Sequence, residues 1–342
     1  MLKRVISIVM GLVLLTMFYG CTSPSMPMAD TSRYKVVCTI FPEYDWTREI
    51  IAGHEKDFKV TYILDNGEDM HGFQPSASDI SAISKCDLFI YVGGESEKWA
   101  ENALSESGNE NIRRVNLMEI LGEDVREKEE VDTGVKKEEE AAEYEIDENG
   151  ERKKIKKSVE YDEHVWLSLR NAQLFCTSIA DAVSAVDPSG QSDYQHNAEE
   201  YNKKLYALDE QYTTMFKATK AGDKTLVFGD RFPYLYFFKD YGLNYFSAFS
   251  GCSEEKEASM ETVKFLAKKV DFMRSSHIFI TESSDGSIAK SIVNSTQEKN
   301  QAVTVINSMQ SVTEKQAEKG TTYLSLMLDN YDIFREVFKY DD

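Results

Sequence analysis

The stretch Lys35-Val-Val-Cys-Thr-Ile-Phe41, followed by Tyr44-Asp-Trp-Thr-Arg-Glu-Ile-Ile-Ala-Gly53, sets the pattern from which the fold is read. A short apolar run reads as a strand, and the segment after it carries apolar residues at helical spacing. The pattern recurs downstream. Residues 58–64, 88–92 and 114–117 read as short apolar strands, with helical spacing over 76–84 and 97–107 between them. Ser76-Ala-Ser-Asp79, directly after Pro75, has the form of a helix N-cap with an acid three residues on. Strands alternating with helices favour a parallel sheet with crossover helices.

From residue 122 to 162 the composition changes to Glu, Lys and Asp with isolated Val, Tyr and Ile residues. Such a segment buries too little apolar surface to offset its ordering entropy, so it reads as a mobile insert. A cation-gathering lid is the alternative, because the insert abuts His164; lacking His and Cys before that residue, it offers oxygen ligands alone. After it, 165–186 reads as a long helix broken by Asp187-Pro-Ser-Gly190. A second helix covers about 193–220, with Tyr201, Leu205, Leu208 and Tyr212 on one packed face. It contains no Gly or Pro up to Lys220 and suits a stiff connector.

The alternation then restarts, with strands at 225–228, 243–249, 277–280 and 302–306 and helices at 233–241, 260–275, 287–296 and 322–339. The fold class is therefore α/β: two (β/α) lobes with mainly parallel sheets, joined by one long rigid helix. The expected boundaries are 1–33 for a leader and tether, 34–186 for the first lobe, 187–220 for the linking helix and 221–342 for the second lobe.

The leader is read from Met1-Leu-Lys-Arg4, an apolar run over 5–19, and Gly20-Cys21. About 15 apolar residues are too few to span a bilayer, which takes roughly 20, and fit a signal segment. A small residue before Cys resembles a bacterial lipobox, although Phe18 and Tyr19 depart from its usual residues. Cys21 is then the lipidated N-terminus, and the protein is extracytoplasmic and held at the cell membrane by lipid; an ordinary signal peptide is the alternative. Net charge is −20, and −22 once Lys3 and Arg4 are removed, a surface that repels nucleic acid and attracts cations. Cys38, Cys86, Cys176 and Cys252 are widely spaced, with no Cys-x-x-Cys pair. Neither a zinc knuckle nor a disulfide framework is indicated, and the first three read as buried thiols.

Of the five histidines, two share a setting. His71 lies in Asp69-Met-His-Gly-Phe-Gln-Pro75 and His164 in Tyr161-Asp-Glu-His-Val-Trp166. Each occupies a polar turn before a helix with carboxylates just upstream. Neutral imidazole is a common metal ligand, and adjacent acids orient the ring and add charge. His71 also follows a strand, and open α/β sheets bind ligands beyond the carboxyl ends of their strands. His54, His196 and His277 lack this setting and read as surface or packing residues. Trp46, Trp99 and Trp166 read as packing residues, Trp166 with a second place as a wall beside His164.

Taken in order, the motifs resemble those of the solute-binding lipoproteins of bacterial ABC transporters for zinc and manganese. They are His71-Gly-Phe-Gln-Pro-Ser-Ala-Ser-Asp79, Leu88-Phe-Ile-Tyr-Val-Gly-Gly94 with Trp99, and Asp162-Glu-His-Val-Trp-Leu-Ser168 with Asn171-Ala172. Phe232-Pro-Tyr234 with Tyr241-Gly-Leu243, and the Ser253 to Ser259 turn with Glu257, complete the match. The resemblance implies a cation held in the cleft between two lobes, two ligands from each, with His71 and His164 as the first pair. The second pair departs from it: the third ligand position falls on Gly229 and the fourth on Asn307. Asp230, beside the missing third ligand, and Glu282, after a strand, are the candidates to rebuild the site. Alternatively Asp230 pairs with Arg231, and Glu282 caps or lines the cleft. Cys252 lies in the Gly251-Cys-Ser turn that approaches the cleft in this family, and a thiolate ligand there is a further alternative.

Two imidazoles with carboxylates suit Zn2+, and more oxygen ligands suit Mn2+. The expected function is capture of a divalent metal ion, most of all zinc, and its delivery to an ABC transporter permease by a monomeric, lipid-anchored protein that binds no nucleic acid. A manganese-specific member is one alternative; an adhesin-like surface lipoprotein with a degenerate metal site is another. No His-Glu-x-x-His, nucleophile elbow or Gly-rich phosphate loop is present, and the expectation is that the chain is not an enzyme.

Overall fold

The computed structural model describes residues 33–122, 127, 144–146, 152–154, 161–220, 222, 224–253, 255 and 257–340. The leader, Cys21 and most of the 122–162 insert lie outside the described residues.

The first lobe is built from β1 (Tyr34–Cys38), α1 (Phe41–Ile50), β2 (Phe58–Tyr62), α2 (Ala77–Ser84), β3 (Leu88–Tyr91), α3 (Lys98–Glu106), β4 (Arg113–Asn116) and α4 (Leu117–Leu121). The strands form a parallel sheet in the order β2-β1-β3-β4. β3 is buried along its whole length, as a strand covered on both faces must be. Ser76 caps α2 in a capping box with Asp79, as its sequence indicated. Within the charged insert, β5 (Tyr144–Ile146) and β6 (Arg152–Lys154) pair antiparallel.

Two long helices follow. Residues 165–167 form a single 3₁₀ turn, and Ser168 then caps α5 (Leu169–Val186). Pro188–Gly190 breaks the chain before α6 (Gln191–Ala218). At 28 residues, α6 is about 42 Å long. It packs along α5 and α1 and reaches the second lobe, where the Tyr212 hydroxyl donates to the Met327 carbonyl at 2.7 Å. Tyr201, Leu205, Leu208 and Tyr212 are buried along it.

The second lobe comprises β7 (Thr225–Phe228), α7 (Leu235–Tyr241), β8 (Asn244–Ser247), α8 (Met260–Met273), β9 (His277–Thr281), α9 (Ser287–Ser295), β10 (Ala302–Ile306), α10 (Glu314–Glu318) and α11 (Tyr323–Phe338). Its parallel sheet has the order β10-β9-β7-β8. Numbered within each lobe, both sheets therefore share the order 2-1-3-4. In each, the strand order reverses between the first and third strands, and the loops leaving the carboxyl ends there are where such sheets bind ligands.

The lobes are pinned together by buried polar contacts. Trp166 is fully buried and donates its Nε1–H to the Ser308 carbonyl at 2.9 Å. The Tyr323 hydroxyl returns a bond to the Trp166 carbonyl at 2.7 Å, and the Tyr323 amide donates to Asp45 at 2.8 Å. The Tyr62 hydroxyl reaches the Val312 carbonyl at 2.7 Å. One hydrophobic cluster runs through the first lobe, α6 and the facing half of the second lobe. A joint this dry and this well bonded resists hinge opening, because opening would strip several buried donors of their acceptors at once.

Candidate metal centre

His71 lies in the loop between β2 and α2, and His164 in the turn that leads into α5. Both turns are built alike, each with an aspartate two residues ahead of the histidine. Asp69 Oδ1 accepts the His71 backbone amide at 3.0 Å and faces its Nδ1 at 2.7 Å. Asp162 Oδ1 accepts the His164 amide at 2.9 Å and faces its Nδ1 at 3.3 Å. In each pair the carboxylate holds a proton on Nδ1, which leaves the Nε2 lone pair for another use. Both Nε2 atoms are buried and form no hydrogen bond among the described residues.

The two rings meet. Their centroids lie 4.9 Å apart at an interplanar angle of 29°. Trp166 walls the pair, 5.1 Å from the His164 ring. Burying two uncompensated imidazole acceptors side by side costs free energy that a bound cation would recover.

The second lobe closes the site with the turn after β8. His71, His164 and Cys252 each bring one ligand atom within 4.8 Å of the other two. Gly251 is the reason the turn comes so close. A Cβ there would sit 2.8 Å from Asp162 Oδ2 and 3.0 Å from His164 Cε1.

Asp69 also reaches the second lobe, where its other oxygen forms an ion pair with Arg231. Burial by itself would raise the Asp69 carboxyl. The hydrogen bonds and charge of His71 and the charge of Arg231 outweigh that and hold it well below the usual carboxylate range. Arg231 thus pairs with Asp69 rather than with its neighbour Asp230.

Asp230 and Glu282 stand outside the converging group. Asp230 lines the cleft, and its Oδ2 accepts the Thr281 amide at 3.0 Å and the Thr281 hydroxyl at 2.6 Å. Glu282 organises the turn after β10: it accepts the Ser308 amide at 2.7 Å, the Ser308 hydroxyl at 3.0 Å and the Gln310 amide at 3.2 Å. Asn307 accepts the Met309 amide at 2.8 Å and closes that turn. Gln310, in the same turn, keeps a buried Oε1 with no hydrogen bond among the described residues; no sequence motif marked it. Gly229 is crowded, since a Cβ there would lie 2.6 Å from the Ala289 Cα.

A cleft of about 870 Å³ leads to His71 between the lobes, with Glu68, Asp69, Asp230, Glu255 and Asp285 on its walls. Away from it, His54 pairs with Asp193 at 2.8 Å, His277 faces the Thr304 hydroxyl at 2.8 Å, and His196 is exposed. Cys38, Cys86 and Cys176 are buried, with thiols that burial pushes up.

Comparison with known proteins places the chain among zinc-uptake proteins by sequence and fold. Zinc-binding protein AdcA of Streptococcus pyogenes serotype M3 is 27% identical over 338 residues, covering 98% of this chain and 61% of the relative. The chain thus spans about three-fifths of the length of the AdcA relatives it matches. The high-affinity zinc uptake system protein ZnuA of Bacillus subtilis is 26% identical over 306 residues, 89% of this chain and 87% of the relative. Among solved structures, the periplasmic zinc binding protein TroA of Treponema pallidum superposes with a TM-score of 0.69 at 20% identity, covering 90% of this chain and 99% of that one. The Zn(II)-bound ZnuA-like domain of Streptococcus pneumoniae AdcA gives 0.66 at 22% identity, covering 90% and 99%. Both share the two-lobed fold. The family model described as zinc-uptake complex component A, periplasmic, matches residues 36–337, and the chain belongs to that ZnuA family.

Proposed function

We propose that this protein captures a divalent metal ion, zinc, outside the cytoplasm, holds it between its lobes and delivers it to an ABC permease for import. The observation that carries this reading is the convergence of two buried imidazoles whose Nε2 atoms have no hydrogen bond among the described residues. His71 and His164 donate these nitrogens to the ion. Asp69 and Asp162, on the Nδ1 side of each ring, fix the tautomer and make each nitrogen a stronger donor. Asp230 and Glu282 add negative charge from the second lobe, Asp230 while its Oδ2 holds Thr281 and Glu282 while it organises the 307–311 turn. The acidic cleft raises the local concentration of cations at the mouth.

The names of the relatives support zinc over manganese, and so do two nitrogen donors in a dry site. Cys21 serves as the lipid anchor in this reading, and the monomer is the working unit. The ion is cargo. The reading is of a carrier and not of an enzyme.

The test is a Zn2+ titration of chelator-stripped protein in competition with a chromophoric chelator, with His71→Ala and His164→Ala alongside. Loss of either ligand should weaken binding by more than the about 10–100-fold typical of losing an outer-sphere partner. Unchanged affinity in the double variant would contradict the assignment.

A further inference from the structure

We propose that Cys252 supplies a thiolate as the third protein ligand, which makes the cargo a thiophilic divalent cation and sets the site against manganese. This rests on the reading that His71 and His164 bind the ion, and extends it to the donor that the second lobe contributes.

Four observations converge on Cys252. Its sulfur lies within 4.8 Å of a ligand nitrogen on each histidine, and these three residues are the one group of three or more His, Cys, Asp or Glu among the described residues whose ligand atoms gather as a metal site requires. Both imidazoles are buried, with Nε2 atoms that form no hydrogen bond among the described residues. The turn that carries Cys252 is held against His164 by a contact that only a glycine at 251 permits. Finally, the two acids that the sequence offered for the second lobe hold other bonds, Asp230 through Oδ2 with Thr281 and Glu282 with Ser308 and Gln310.

Geometry and chemistry agree. With Zn–S near 2.3 Å and Zn–N near 2.0–2.1 Å, a tetrahedral site separates sulfur from nitrogen by about 3.5 Å. The present spacing therefore calls for at most about 1.3 Å of contraction, small enough for a turn movement without hinge closure. Arg231 already ties this turn to the histidine side: one arm pairs with Asp69, and the other donates to the Ser253 carbonyl at 3.4 Å. Cys252 is half-buried, whereas Cys38, Cys86 and Cys176 are fully buried, so it is the cysteine that an incoming ion meets. On binding, the S–H bond breaks, a sulfur–metal bond forms and the proton passes to solvent. Soft thiolate favours zinc-like ions over manganese, which prefers carboxylate and water.

The test uses Co2+ alone as a spectroscopic probe on the whole protein. Wild type should show sulfur-to-cobalt charge-transfer absorption in the near ultraviolet together with visible d–d bands. Cys252→Ser should lose the charge-transfer band and keep d–d bands, which shows that the altered protein still folds and binds. A wild-type spectrum with d–d bands and no charge-transfer band would overturn the thiolate assignment and leave the histidine site standing. A charge-transfer band that persists in Cys252→Ser would also overturn it. Absence of both bands in wild type would overturn the thiolate and the metal-carrier reading together.

Discussion

Asp69 of the first lobe is ion-paired with Arg231 of the second, and the same carboxylate fixes the ring of His71 at 2.7 Å. One side chain thus orients a proposed ligand and latches the cleft beside it. The pair is partly shielded, with the Arg231 side chain 21% and the Asp69 side chain 30% exposed.

Replacing Asp69 by Asn removes the charge and leaves the shape. Zinc affinity should fall by about 10–100-fold, with faster release because the latch is lost too. Arg231→Gln should speed release with a smaller change in affinity, since His71 keeps its carboxylate. Stopped-flow release into a chelator separates the two; identical rates in wild type and both variants would count against the latch.

Gly251→Ala places a methyl group 2.8 Å from Asp162 Oδ2 and 3.0 Å from His164 Cε1. The turn has to retreat from the histidine, and overpacking of this kind costs about 1–3 kcal/mol. Zinc affinity should drop while secondary structure, read by circular dichroism, is kept. Gly222→Ala, with nothing within 4 Å of its Cβ position, serves as the control and should bind as wild type does.

The third ligand position that the resemblance places at Gly229 cannot be filled by a histidine side chain there. A Cβ at Gly229 would meet the Ala289 Cα at 2.6 Å and its backbone nitrogen at 3.0 Å. Gly229→His should lower the unfolding midpoint without tightening zinc binding. A gain in affinity at unchanged stability would show that the strand end can shift away from α9.

Stability should fall as pH rises between about 4.5 and 7. Burial pushes Asp45 and Glu97 each up to about 7, and burial together with the charge of Glu97 raises the buried Glu43 well above its ordinary value. In that window the folded protein keeps protons that the unfolded chain, with ordinary carboxyls near 4.3, has already released. Each such group therefore removes up to about 1.4 kcal/mol per pH unit on the way up. Urea midpoints of the metal-free protein at pH 5 and pH 8 measure this, and Glu97→Gln should flatten the slope. A midpoint that rises over this range would contradict the burial of these carboxyls in protonated form.

Much of this was legible in the amino-acid sequence, and the part that was not has a physical reason. Strands such as Leu88–Tyr91 are short apolar runs, and the Ser76 and Ser168 caps carry local signals. The two histidines announce themselves because an aspartate two residues ahead is also a local feature. Pairing across the cleft is not local: Asp69 and Arg231 are 162 positions apart, and adjacency alone pointed to Asp230 instead. The crowding at Gly229 depends on how α9 lies against the end of β7, and no spacing rule reports that. The β5–β6 pair has three-residue strands inside a charged segment, too few residues for an alternating pattern to stand out.

In the proposed site, two imidazoles from separate turns of one lobe hold a single ion. X-ray absorption at the zinc edge of the stoichiometric complex tests it most directly. Two imidazole rings are expected in the scattering around zinc, falling to one in His71→Ala and one in His164→Ala. Scattering without imidazole, or a spectrum that neither substitution changes, would contradict it.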